Sequence, residues 1–326
     1  MILLSSIHLL KNKKNLLAFS SGVDSSALFF LLLKNKIPFD IALVNYGTRD
    51  NSAKEEAHAI ALAEEYSLTC HTIPAPKFPS HFEKNARDFR YKFFEGLVEK
   101  YGYDNLLTAH QLNDQLEWLL MRLSKGAGVS ELVGLETVSK RGNTTLIRPL
   151  LEYPKEELLL YLEENKYPYF VDESNRDEKY ERNKFRKNFS DPLMEKYKAG
   201  IKRSFEYLKK DKEVLEKQFK TIHADKLLRV IRLNSPEAKV KASDLALKEL
   251  GYLLSASQRR EIEKEESLVI GGEWVVELQG DHLYISPYVT TDMTKKFKEE
   301  CRILKVPHKT RAYCFKEELD INLIFA

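Results

Sequence analysis

Seven residues, Ser20-Ser21-Gly22-Val23-Asp24-Ser25-Ser26, have the types and spacing to hold an anion. They stand between two apolar runs, Leu16–Phe19 and Ala27–Leu33, an order that reads strand, tight turn, helix. A helix N-terminus leaves backbone N–H groups unpaired and carries partial positive charge, and small residues let phosphate oxygens come close to the backbone. Asp24 adds a carboxylate at the mouth, where a metal or an incoming group can be held. No Gly-x-x-x-x-Gly-Lys-Ser/Thr occurs in the chain, so a nucleotide here would not be held by a Walker loop. The plain alternative is a Ser/Gly turn with Asp24 as a helix-start residue. The loop alone does not separate the two.

Five other segments carry charge at useful spacing. In Ala109–Glu117, Asp114 and Glu117 are three apart at a helix start and share a face; such a pair can hold Mg²⁺ against phosphates, or one member can act as a base. The alternative there is acids placed for the helix dipole. In Glu83–Tyr91, Arg87 and Arg90 share a face beside Tyr91, and arginine forks suit phosphate oxygens, although pairing with Glu83 and Asp88 is the common use. Arg122 opens a basic, glycine-rich helix end running to Gly128. Arg148 leaves a strand in Leu146–Leu151. Asp172-Glu173-Ser174-Asn175, followed by Arg182, Asn183 and Arg186, mixes acids that can hold an ammonium with arginines that can hold RNA phosphates. Each segment on its own reads more often as a solvated, charged surface than as a site.

The elements that must position these segments alternate from residue 15 to about 150. Strands are expected at Asn15–Phe19, Asp40–Asn45, Leu68–Ile73, Asn105–Ala109 and Thr144–Ile147, with helices near 25–35, 52–66, 82–101 and 112–124. Such alternation predicts an α/β domain: a Rossmann-like parallel sheet with helices on both faces and ligands outside the C-terminal strand ends. Met194–Phe219 reads as one long polar helix, roughly 39 Å, with a single apolar stripe. After it the pattern becomes a small α+β region. Helices are expected at Ala242–Leu250 and Ser257–Glu266, and strands at Leu268–Ile270, Glu273–Gln279 and His282–Ser286, with hairpin turns at Gly271-Gly272 and Gly280-Asp281. Cys301–Val306, Arg311–Phe315 and Ile321–Phe325 also read as strands. The expected division is residues 1–190, a linker helix 191–223, and 224–326.

Bulk properties narrow the class. The chain has 326 residues, 52 Lys and Arg against 49 Asp and Glu, and a net charge of +3. From Arg176 to Lys212 the balance is 13 basic to 7 acidic residues. That local excess suits a polyanion, and equally a solvated helix face. No apolar run reaches the roughly 18 residues of a membrane span, and the N-terminal lysines follow the first apolar stretch rather than precede it. A cytoplasmic protein without membrane contact is expected. Cys70, Cys301 and Cys314 form no Cys-x-x-Cys pair, so neither a zinc knuckle nor a disulfide framework is signalled.

Taken in order, the six segments resemble the PP-loop ATP pyrophosphatase superfamily, and within it the tRNA(Ile)-lysidine synthases. Ser20–Ser25 matches the family's Ser-Gly-Gly-x-Asp-Ser loop. Glu83–Tyr91 resembles Glu-Ala-x-Ala-Arg-x-x-Arg-Tyr, and His110–Glu117 resembles His-x-x-Asp-Asp-Gln-x-Glu. Ile147–Leu151 matches Ile-Arg-Pro-Leu-Leu, and Asp172–Asn175 with Arg182-Asn183 and Arg186 matches the last block. The resemblance implies an ATP- and Mg²⁺-dependent ligase. It would join free L-lysine to C2 of the wobble cytidine of a tRNA(Ile) with a CAU anticodon, through an adenylated cytidine. It also implies roles: ATP at Ser20, Ser21, Gly22, Val23, Asp24, Ser25, Ser26, Asn45 and His110, and Mg²⁺ at Asp24 and Asp114. Catalysis falls to Asp24, Asp114, Glu117 and Arg87. Lysine or tRNA falls to Arg90, Arg122, Arg148, Asp172, Asn175, Arg182 and Arg186, and tRNA recognition to the C-terminal region.

The departures are Ser21 for the first loop glycine, Lys84 for an alanine, Asn113 for the first acid of the pair, and the lack of a His-His pair at Val44–Gly47. The C-terminal region is short for the family. Two rivals stand beside this reading: a tRNA-thiolating enzyme with the same loop, and a non-catalytic nucleotide- or RNA-binding module. The sequence does not set the oligomeric state; a homodimer is compatible with it.

Overall fold

The computed structural model describes residues 2–47, 52–171 and 181–325. Two compact units divide the chain, Met1–Lys209 and Lys210–Ala326.

The first unit runs β1 (Asn15–Ala18), α1 (Val23–Lys34), β2 (Phe39–Asn45), α2 (Ser52–Glu65), β3 (Cys70–Pro74), α3 (Phe82–Tyr101), β4 (Asn105–Leu107), α4 (Leu112–Leu123), α5 (Val129–Val133), β5 (Val138–Arg141), β6 (Thr144–Ile147), α6 (Lys155–Glu164), α7 (Glu181–Phe185) and most of α8 (Asp191–Glu216), whose last turns belong to the second unit. The sheet order is β3-β2-β1-β4-β6-β5. Every pairing is parallel except β5 against β6. The α/β plan with helices on both faces is the one observed. The edge strand β5, which no apolar alternation announces, is an addition to it.

Period-two alternation explains the two faces. Leu17, Ile41, Leu43, Leu107 and Ile147 face a core built with α1, α2 and α6. Their neighbours Leu16, Ala42, Val44, Leu106 and Leu146 face Tyr91, Phe94 and Leu97 of α3. A one-residue slip of any strand would exchange its two sets of side chains, so burial on both faces pins the register. β1 is followed by β2 and then β3 on one side, while β4 lies on its other side. The strand order therefore reverses between β1 and β4, and the loops leaving their C-terminal ends flank one crevice.

A π-helical turn, Arg186–Ser190, joins α7 to α8. Met194 and Phe205 of α8 are buried against Leu112 and Leu116 of α4. The long helix expected through Phe219 stops at Glu216; Phe219 instead opens a strand.

The second unit holds β7 (Phe219–Asp225), β8 (Leu228–Leu233), α9 (Lys239–Glu249), α10 (Ala256–Lys264), β9 (Ser267–Ile270), β10 (Trp274–Gln279), β11 (His282–Pro287), α11 (Lys295–Ile303), α12 (Arg311–Lys316) and α13 (Ile321–Phe325). Its sheet is antiparallel in the order β7-β8-β11-β10-β9. Ile231, Leu283 and Ile285 face α9 and α10, whereas Val230 and Tyr284 face Cys301, Tyr313 and Cys314. The three C-terminal segments expected as strands are therefore the end of α11 with the turn after it, α12 and α13. Phe297, Cys301 and Leu304 recur at helical spacing, and the Thr294 side chain caps α11 by accepting from Phe297 N at 3.2 Å. Short apolar runs do not distinguish strand from helix; the exposed second face of a complete sheet requires a cover, and these helices supply it.

Candidate active site

The loop after β1 is held by its own hydroxyls. Ser25 Oγ donates to Gly22 O at 3.1 Å, and Ser20 N donates to Ser25 Oγ at 3.2 Å. Gly22 is the N-cap of α1, so the first amides of that helix open onto the crevice. Ser21 is buried with φ +59°, and its hydroxyl donates to Glu55 O of α2 at 2.9 Å. Its side chain is thus turned from the crevice, and only its backbone remains available to a ligand. Ser26 is buried as well.

Two adjoining cavities, about 300 and 550 Å³, open over this loop and share Ser20, Asp24, Ser25, Tyr46, Arg90 and Arg186. The smaller continues to His110 and Asp114 from the β4 side. The larger takes in Gly22, Val23 and Asn45. Asn45 is fixed there by donating to Glu56 Oε2 at 2.6 Å.

Asp24 sits between the cavities. The residue keeps some exposure, but its Oδ1 is buried and has no hydrogen-bond partner. Burial, and next the Asp114 charge, push its pKa up to about 7; Lys155 and Arg186 pull the other way. Asp114 is bound tightly: Arg182 Nη2 donates to its Oδ1 at 2.6 Å, and Gln111 N donates to its Oδ2 at 3.0 Å as part of a capping box. Burial pushes its pKa up, but the Arg182 charge outweighs that push and holds it below the ordinary value. Burial takes His110 down to about 4 against the opposing pull of Asp114, so its ring is neutral at working pH. Its Nδ1 lies 2.9 Å from Thr108 Oγ1.

Glu117 is fully buried. Arg182 Nε donates to its Oε2 at 2.7 Å, and Arg186 Nε donates to its Oε1 at 2.6 Å. Both oxygens are engaged, and Glu117 sets the position of two arginines that reach the crevice. Asn113, at the departure from the acidic pair, has a structural task. Its Oδ1 accepts from Lys155 N at 3.1 Å, and its side chain hydrogen-bonds Asp191.

Other expected residues lie elsewhere. Arg122 stacks over Trp118 at 4.3 Å, and Arg87 stands over Tyr91 at 5.5 Å. Arg148 is buried, donating to Glu136 O at 2.6 Å and Ser139 Oγ at 3.0 Å, which ties the β5–β6 edge rather than the crevice. Asp172 and Asn175 lie outside the described residues. Sequence reasoning missed Lys155 and Asp191, which line the larger cavity. Pro154 ahead of Lys155 signals a helix start, and nothing local marks either residue as facing the crevice. Among the described residues no three acids, histidines or cysteines gather as a metal cage, and no helix is long and apolar enough to cross a membrane.

A family model described as PP-loop domain matches residues 3–193. A tRNA(Ile)-lysidine synthase from Campylobacter jejuni is 45% identical over 97% of each chain. One from Wolinella succinogenes is 42% identical over 95% of each. The chain belongs to the tRNA(Ile)-lysidine synthase family, within the PP-loop proteins. These matches cover nearly all of each chain and so include the second unit. A solved U34-tRNA thiolase from Methanococcus maripaludis has the same fold over 63% of this chain and 74% of its own, with a TM-score of 0.50 and 22% identity. In this chain burial raises the Cys70 thiol to about 11 and the Cys314 thiol to about 12, far from a reactive thiolate.

Proposed function

We infer that this protein is an ATP-dependent ligase that forms lysidine at the wobble cytidine of a tRNA(Ile) with a CAU anticodon. The match to lysidine synthases over nearly the whole chain carries the reading, and the open crevice at the β1–β4 switch supports it. In the first step the cytosine O2 attacks the α-phosphorus of ATP; the O–P bond forms and pyrophosphate leaves. In the second, the amine of free lysine attacks C2, the C2–O bond breaks, and AMP departs.

The residues fit these steps. The loop amides at Gly22–Ser25 receive phosphate oxygens, with Arg90 and Lys155 supplying positive charge from the walls. The orphaned buried Oδ1 of Asp24, beside Asp114, suits a divalent cation. Two carboxylates without a protein cage are what Mg²⁺ needs when phosphates complete its shell. Bound there, Mg²⁺ would supply charge neutralisation at the phosphates. Glu117 serves as the anchor of Arg182 and Arg186, and the proton released as the lysine amine attacks leaves through the water of the open crevice. Asp172 is assigned to the lysine ammonium, the second unit to tRNA, and the location to the cytoplasm.

The test is incubation with ATP, Mg²⁺, radiolabelled lysine and a CAU tRNA(Ile) transcript. Label retained in the tRNA, dependent on ATP and lost in Asp24→Ala, is the expected result. AMP and pyrophosphate released without lysine incorporation would refute it.

A further inference from the structure

Ser21 occupies a left-handed turn at φ +59°, a conformation that crowds the Cβ of an L-residue and that glycine adopts freely. Something must hold it. Its Oγ donates its only hydrogen to Glu55 O at 2.9 Å and lies 3.2 Å from His58 Nδ1. With that hydrogen committed, Oγ accepts from His58, which fixes the ring as the Nδ1–H tautomer. The other nitrogen, Nε2, is buried without a partner, consistent with burial lowering the His58 pKa. The ring packs edge-on against Phe170 at 5.1 Å. Phe170 N donates to Ser21 O at 2.8 Å, and Phe170 bridges Gly22. The loop is therefore gripped twice, through the Ser21 side chain from α2 and through its backbone from Phe170. His58 touches both grips.

We propose that His58 is a positioning residue for the ligation reaction: it clamps Ser21 in the left-handed turn and so keeps the loop amides aimed at the ATP phosphates. The proposal rests on the reading of Ser20–Ser26 as the phosphate site. His58 lines neither cavity and acts only through Ser21. A Ser–His pair here does the work that conformational freedom would do in a Gly-Gly loop.

A double-mutant cycle tests this with His58→Ala, Ser21→Gly and the combination, plus His58→Asn, whose amide can reach the Nδ1 position. Losing one buried hydrogen bond should raise the KM for ATP about fivefold in H58A, with the KM for lysine unchanged. H58N should restore the wild-type value. In the S21G background the same His58→Ala change should add less than about twofold, because nothing remains to clamp. Amide exchange of residues 20–26 without ATP should quicken in H58A and should not quicken further from S21G to the double variant. Equal losses in both backgrounds, failure of H58N to rescue, or unchanged loop exchange in H58A would overturn the clamp. If the exchange cycle couples as expected but ATP protects no amide of residues 20–26 in the wild type, the phosphate-site reading fails instead, and with it the clamp's role in ATP binding.

Discussion

Replacing Asp24 by asparagine should stabilise the unliganded protein while abolishing ligation. Asp24 titrates at about 7 in the fold against 3.8 for an unperturbed carboxyl, chiefly because burial and Asp114 oppose its charge. Between those values the folded state binds more protons than the unfolded chain, so stability falls as pH rises through the window. Each pK unit is worth about 1.36 kcal/mol, which sets a ceiling of about 4 kcal/mol at pH 8; the partial exposure of the residue lowers the expectation to about 2–4 kcal/mol. The Asp24→Asn side chain keeps the shape without the charge and should recover that amount at pH 8 and almost none at pH 4. The chain has two tryptophans, Trp118 in the first unit and Trp274 in the second. In a Trp274→Phe background, urea unfolding in chelator followed by fluorescence therefore reports the first unit alone. If the Asp24→Asn variant is no more stable than its parent at pH 8, or its advantage does not shrink toward pH 4, Asp24 is not a strained carboxylate and the argument is wrong. Added Mg²⁺ should narrow the gap by stabilising only the parent.

Three further outcomes are expected. Glu117→Gln leaves Arg182 and Arg186 without their buried anion, and should cost the first unit about 3 kcal/mol in the same unfolding assay along with most of the activity. Gly134→Ala drives a Cβ into the Trp118 ring at a φ of +60°, and should lower stability by more than about 2 kcal/mol with a shifted Trp118 emission spectrum. Glu277 is buried and accepts from Ser267 Oγ at 3.0 Å, Lys309 N at 3.0 Å and Thr310 N at 2.9 Å. Glu277→Ala should therefore destabilise the second unit by about 2–3 kcal/mol, read from Trp274 in a Trp118→Phe background, and leave the Trp118 transition of the Trp274→Phe background unmoved.

Much of the fold was legible because its signals are local. Alternating apolar residues in Leu16–Leu17, Ile41–Val44 and Leu146–Ile147 carry the two-faced sheet within four residues at a time. The run of small residues at Ser20–Ser26 marks a strand-to-helix turn without reference to anything distant. Where the signal was weaker than its context, reading the chain failed: Cys301–Val306 has the composition of a strand, and only the uncovered face of the antiparallel sheet makes it the end of a helix and the turn after it. The site divides in the same way. Residue types and their order sufficed to nominate Asp24, Asp114, Arg182 and Arg186, since chemistry is written in side chains. Their actual partnerships join positions 65 or more residues apart, as between Arg182 and Glu117. Such pairings depend on how α4 and α7 meet, which no local pattern encodes. The tertiary structure alone decided that Glu117 anchors arginines, that Asn113 caps α6, that Arg148 serves a sheet edge, and that the Ser21 hydroxyl faces α2 rather than a phosphate.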